Sequence, residues 1–142
     1  MNIIFKETKD LDYEKVVDIF YSVKFLKFSE KRTVYKEAIE KAFRNSQYVV
    51  SAWERNKLIG FVRVRTDNSL FATIWNLIII PEYQNKGLGK MLVQKCLEKY
   101  PKIHFFTIAD QDNYRFYEKS GFKLHSHGMY LEKGKKVCAI YN

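Results

Sequence analysis

The chain has 142 residues, is 46% hydrophobic and 29% charged, and carries a formal charge of +9. That length supports one continuous core and predicts one domain over residues 1–142. No run of eighteen apolar residues occurs, and residues 1–6 lack the charged-then-apolar order of a signal peptide, so the expectation is a soluble, cytoplasmic protein with no membrane partner.

Cys96 and Cys138 do not make a disulfide framework, and neither stands at metal-ligand spacing from a histidine or another cysteine. No metal is expected. Lysines are scattered, with the densest spots at Lys31-Arg32 and at Lys133 with Lys135-Lys136. The scatter argues against a nucleic-acid interface, although a basic surface attracts any polyanion, including a phosphate-rich cofactor.

In chain order, residues 2–6 read as a strand, and Asp12 as the N-cap of a helix with Val16, Ile19 and Phe20 on one face. Ser29 is placed to cap a second helix over residues 31–44, with Val34, Ala38 and Phe43 apolar. Between the helices, residues 21–28 are too apolar for a solvated loop, which predicts a segment that covers something. Residues 48–54 and 58–66 alternate around Arg55-Asn56-Lys57 and predict a hairpin. Asp67-Asn68-Ser69 makes a turn into a buried central strand over residues 71–80.

A turn over residues 81–87 leads into a helix with Leu88, Met91, Leu92 and Cys96 apolar, and Cys96 reads as a core residue. Pro101 breaks the chain, and residues 103–109 return to the sheet. A short helix follows, capped by Asp112 or Asn113 and ended by Gly121. Residues 122–126 and 129–133 read as late strands around Gly128, and residues 137–141 as one more short strand or a loosely packed tail. The order β-αα-βββ-α-β-α-β-β predicts an α/β sandwich with a mixed central sheet flanked by helices.

The turn Gln84-Asn85-Lys86-Gly87-Leu88-Gly89-Lys90 joins a strand to a helix through two glycines and two lysines. Backbone N–H groups left unpaired at the positive end of a helix hold anions, and glycine lets the anion come close. A Walker loop is excluded, because no second glycine or Ser/Thr stands at the required spacing from Gly87. A dinucleotide fingerprint is excluded because Leu92 stands at its third glycine. A glycine-softened connection with a solvated lysine pair is the plainer alternative.

Gln-x-x-Gly-x-Gly after a buried strand resembles the pyrophosphate signature of the GCN5-related N-acetyltransferases (GNAT), which use acetyl-coenzyme A. Downstream, Asp112-Asn113-Tyr114-Arg115-Phe116-Tyr117-Glu118-Lys119-Ser120-Gly121-Phe122 resembles the family's second hallmark, Phe-Tyr-x-Lys-x-Gly-Phe. A plain aromatic core pair is the other reading of Phe116 and Tyr117. The two motifs occur in family order, and the resemblance covers the second half of the chain.

The resemblance implies the GNAT fold and an N-acetyltransferase acting by direct amine attack in a ternary complex. It implies that the N–H groups of Asn85, Lys86, Gly87, Leu88, Gly89 and Lys90 grip the pyrophosphate, with Gln84 shaping the turn and the two lysines adding rim charge. The central strand would part from its neighbour to admit the pantetheine arm, held by backbone groups of Ile78, Ile79 and Ile80. The Ile79 amide, or a neighbour, would stabilise the oxyanion. Phe116 and Tyr117 would border the cofactor, with Tyr117 as general acid to the departing thiolate. Asp110 or Asn113 would bind the pantetheine amides.

The chain departs from the family at the base. Many relatives carry a carboxylate on the central strand, where this chain has Thr73, Trp75 and Asn76; Glu54, His104 and Asp110 are the remaining candidates. Tyr21, Phe25, Phe28, Trp53 and Tyr130 would line the acceptor pocket, favouring a small-molecule or protein amine on an apolar body over a polyamine. A catalytically silent coenzyme A-binding regulatory module is the alternative function. The protein is expected as a monomer or homodimer.

Overall fold

A computed structural model of the chain describes residues 1–26, 31–131 and 133. Its elements are β1 (Ile3–Glu7), α1 (Tyr13–Ser22), α2 (Arg32–Arg44), β2 (Tyr48–Glu54), β3 (Lys57–Thr66), β4 (Phe71–Ile79), α3 (Leu88–Lys99), β5 (His104–Thr107) and α4 (Tyr114–Glu118). The five strands form one sheet in the order β1-β2-β3-β4-β5. Pairing is antiparallel up to β4 and parallel between β4 and β5. The fold is a mixed sheet flanked by helices.

Local chemistry accounts for most element ends. The Asp12 side chain accepts from the Glu14 N–H at 3.0 Å and starts α1. Glu54 and Lys57 pair directly across a turn in which Arg55 takes a positive φ of 54°, so β3 starts at Lys57. The N-cap of α2 is Lys31, which makes no side-chain capping bond; Ser29 lies outside the described residues.

Both faces of the sheet are covered, so β3 is buried almost without interruption from Leu58 to Val64. On one face Phe61 meets Phe20 of α1 and Phe43 of α2, with ring centroids 5.5 and 5.2 Å away. On the other face Tyr48 and Val50, paired with Val64 and Val62, lie under α3, and Tyr48 meets Tyr100 edge-on. Leu88, Leu92, Val93 and Cys96 are the buried stripe of α3, while Met91 and, on α2, Val34 are exposed.

Among the described residues the late strands expected over 122–126 and 129–133 do not form. Residues 122–131 run as turns and irregular backbone, with Leu124, Met129 and Leu131 exposed. Their alternation finds no ladder partner among the described residues, and a strand needs one to satisfy its backbone. Residues 137–141 lie outside the described residues. Among the described residues no helix is long and apolar enough to cross a membrane.

Candidate active site

The site begins where β4 ends. A 3-10 turn over Pro81–Tyr83 leads to Gln84, whose Nε2 donates back to the Ile79 carbonyl at 2.8 Å. Asn85 and Gly87 then take positive φ values of 61° and 82°. A Cβ on Gly87 would meet nothing within 4 Å, so its backbone borders open space. Gly87 is the N-cap of α3 and offers no side-chain cap, which leaves the first N–H groups of the helix directed outward. This is the turn over which the sequence predicts an anion cradle.

The second motif packs against the first. A Cβ on Gly89 would lie 3.3 Å from the Phe116 ring, a tight contact, so α4 seats closely on the first turn of α3. Tyr117 follows, packed edge-on between Phe116 and Phe122 at 5.0 and 5.4 Å. Burial pushes its phenol above the ordinary tyrosine range, while a hydrogen bond with the Thr107 side chain pulls the other way.

Strands β4 and β5 pair from Phe71↔His104 to Ile74↔Thr107, after which β5 stops and β4 continues. The Thr107 hydroxyl, in reach of Tyr117, donates to the Ile74 carbonyl at 3.1 Å on that last rung. Beyond it the β5-facing edge of β4 has no strand partner among the described residues, which leaves a gap in the sheet. The Ile80 N–H donates to the Ile59 carbonyl at 2.9 Å. Alternation along an antiparallel pair therefore turns Ile78 and Ile80 toward β3, and Leu77 and Ile79 toward the gap. This corrects the expectation of three consecutive gap-facing residues: of the three isoleucines, only Ile79 directs its amide there. Leu77, absent from the sequence reading, joins it.

A cavity of about 190 Å³ opens on the α1–α2 side of the sheet, lined by Phe20, Phe25, Tyr35, Ala38, Ile39, Ala42, Phe43, Arg63, Trp75, Asn76 and Ile108. The Arg63 Nε donates to the Asn76 Oδ1 at 2.6 Å, and its Nη1 to the Ser46 hydroxyl at 3.3 Å. Trp75 and Asn76 reach this cavity through a bulge: Asn76 pairs with Arg63 and Ile74 with Val64, leaving Trp75 as the extra residue. No glycine or proline marks that bulge in the sequence.

Of the expected acceptor residues, Phe25 lines the cavity and Phe28 lies outside the described residues. Tyr21, Trp53 and Tyr130 are not part of its wall. Trp53 sits on β2 opposite Ile4, its ring under the Lys6 ammonium at 4.4 Å, on the far side of the sheet order from β5. Tyr21 carries the Arg32 guanidinium over its ring at 5.6 Å, and Tyr130 is exposed on the irregular segment after α4.

The base candidates are also dispersed. The Glu54 carboxylate accepts from the Tyr83 hydroxyl at 2.9 Å, beside the cradle and not the gap. His104 occupies the first β4–β5 rung, at the end opposite the parting. Asp110 and Asn113 flank the 3-10 turn after β5, both exposed, and the Asn113 side chain makes no capping bond to α4. Among the described residues no cluster of three or more His, Cys, Asp or Glu could hold a metal.

The Acetyltransferase (GNAT) family model matches residues 13–122. The chain belongs to the GNAT family. The uncharacterized N-acetyltransferase ycf52 of the alga Pyropia yezoensis is 35% identical over 65% of this chain and 56% of its own length. The ycf52 protein of Porphyra purpurea is 28% identical over 85% of this chain and 70% of its own length. The chain thus spans about half to two-thirds of these GNAT relatives. A probable acetyltransferase from meticillin-resistant Staphylococcus aureus superposes with a TM-score of 0.77 at 21% identity, covering 93% of this chain and 100% of that one, a likeness of fold.

Proposed function

We propose that this GNAT chain binds acetyl-coenzyme A between β4 and β5 and transfers the acetyl group to a primary amine by direct attack in a ternary complex. The observation that carries this reading is the run of β4 beyond its last β5 rung, with the Ile79 amide on the edge that no described strand covers. The residues fit such a ligand: open backbone at Gly87 suits a pyrophosphate, and an unaccompanied strand edge suits the amides of a pantetheine arm.

When bound, acetyl-coenzyme A supplies a thioester carbonyl open to nucleophiles. The Ile79 N–H donates to that oxygen as charge develops on it, a preorganised dipole away from bulk water. Tyr117 holds its proton at neutral pH, because burial raises its pKa, and gives it to the sulfur as the C–S bond breaks. Leu77 offers a further amide to the pantetheine arm, and Lys86 and Lys90 add screened charge at the cradle rim.

The acceptor enters through the cavity lined by Phe25, Trp75 and Ile108. An alkylammonium with a pKa of about 10 costs on the order of 4 kcal/mol to deprotonate at pH 7. Apolar walls lower that cost by disfavouring the charged form, and they select an amine on an apolar or aromatic body, whether small molecule or protein.

A thiol-release assay across an amine panel, with calorimetric titration of acetyl-coenzyme A, tests the reading. Binding with turnover on an apolar amine is the expected result. Asn76, standing where many relatives carry a carboxylate, favours a second reading, a coenzyme A-responsive regulatory module. Binding without turnover on any amine would establish that one instead.

A further inference from the structure

We infer that Tyr83 and Glu54 are positioning residues for the cofactor turn, coupling the tip of the β2–β3 hairpin to the pyrophosphate cradle. This rests on the cradle reading above and adds to it the device that holds the cradle in place. The turn after Tyr83 carries two positive-φ residues and enters α3 through a glycine with no side-chain cap. Such a backbone has little local chemistry to choose one conformation, since glycine accepts many.

Side chains supply the constraint from two directions. Gln84 reaches back to the Ile79 carbonyl at 2.8 Å and ties the turn to β4. Tyr83 reaches sideways, past β3, and donates to the Glu54 carboxylate at 2.9 Å. Glu54 is a firm anchor, because it is the last residue of β2 and pairs with Lys57 across a tight turn. The Lys57 ammonium lies 5.7 Å from the Tyr83 ring centroid, so the hairpin tip engages both the hydroxyl and the ring. The hydrogen bond to Glu54 also holds the Tyr83 phenol above its ordinary range, with burial and the Glu54 charge adding to it.

The arrangement gives Glu54 a role away from amine deprotonation. Backbone N–H groups bind an anion well only when they are held within roughly half an ångström of the productive geometry. Loss of the Tyr83–Glu54 bond therefore loosens the grip on the pyrophosphate while Ile79 and Tyr117, held by β4 and α4, stay in place.

Tyr83→Phe, Glu54→Ala and Glu54→Gln test this, with coenzyme A affinity measured by calorimetry. Kinetics are compared on acetyl-coenzyme A and on S-acetylpantetheine, a thioester without pyrophosphate. Tyr83→Phe and Glu54→Ala should weaken coenzyme A binding about five- to tenfold and raise KM for acetyl-coenzyme A in parallel, with kcat within about twofold. S-acetylpantetheine kinetics should not change. Glu54→Gln, which keeps an acceptor oxygen, should stay within about twofold of wild type. Unchanged coenzyme A affinity in Tyr83→Phe overturns the proposal, as do equal losses on both thioesters. A wild-type chain that binds coenzyme A but acetylates nothing sinks the transferase reading alone, and the affinity comparison still decides the tether. Failure of the wild type to bind coenzyme A overturns both.

Discussion

Thr107 and Ile74 are stitched together on the last rung shared by β4 and β5, the threonine hydroxyl donating to the isoleucine carbonyl at 3.1 Å. The bond marks the point where the strands part, and the same side chain lies in reach of the Tyr117 phenol. Thr107→Val keeps the shape and removes the hydroxyl that makes the Ile74 bond and lowers the Tyr117 pKa. It should cost about 1 kcal/mol in urea unfolding. It should also move the Tyr117 pKa further up, since the hydroxyl it deletes lowers that pKa. Thr107→Ser should restore both quantities.

In the proposed mechanism Tyr117 is the general acid to the departing thiolate. Tyr117→Phe should reduce kcat by about 10²- to 10⁴-fold while coenzyme A affinity, read by calorimetry, stays unchanged. The donor must be protonated, and burial raises its pKa, so the protonated range extends upward. The wild-type rate profile should hold its alkaline plateau past pH of about 10, the ordinary tyrosine value. An alkaline decline well below that value would remove Tyr117 from the acid role.

Gly60 faces Ile79 across the β3–β4 pair at a close, non-hydrogen-bonded position. A Cβ there would lie 2.6 Å from the Ile78 carbonyl oxygen, a backbone atom that can move only with the strand. Gly60→Ala should destabilise the fold by about 1–3 kcal/mol in denaturant titration. Because the displaced strand carries the Ile79 amide, it should weaken acetyl-coenzyme A binding as well. Wild-type affinity in a folded Gly60→Ala variant would separate the amide's position from binding.

Cys96 lies fully buried in α3, where burial pushes its thiol from 9.0 up to about 12. A thiol held protonated is a poor nucleophile. In a Cys138→Ser background the native protein should resist thiol-specific labelling at pH 8 and react fully once unfolded. The raised folded pKa also fixes the sign of the pH effect. The thiol's contribution to stability is intact below its ordinary pKa and is lost as pH rises toward about 12. Fast native labelling would contradict the burial.

What this sequence determined by itself is local. Alternation around Arg55-Asn56-Lys57 specified the hairpin, Asp12 specified the start of α1, and glycine spacing specified the cradle, because neighbouring residues alone set those preferences. The Gln-x-x-Gly-x-Gly and Phe-Tyr motifs were legible for the same reason. Tertiary structure decided everything that depends on register or on meetings between distant residues. The Trp75 bulge decided which side chains line the cavity on the α1–α2 side, and the Ile80–Ile59 bond decided which β4 amides point away from β3. Trp53 went to β2, away from the cavity wall, and Glu54 went to Tyr83, because strand order and not composition placed them. Residues 122–131 had the alternation of strands and did not become strands, since a ladder requires a partner that no local pattern can supply.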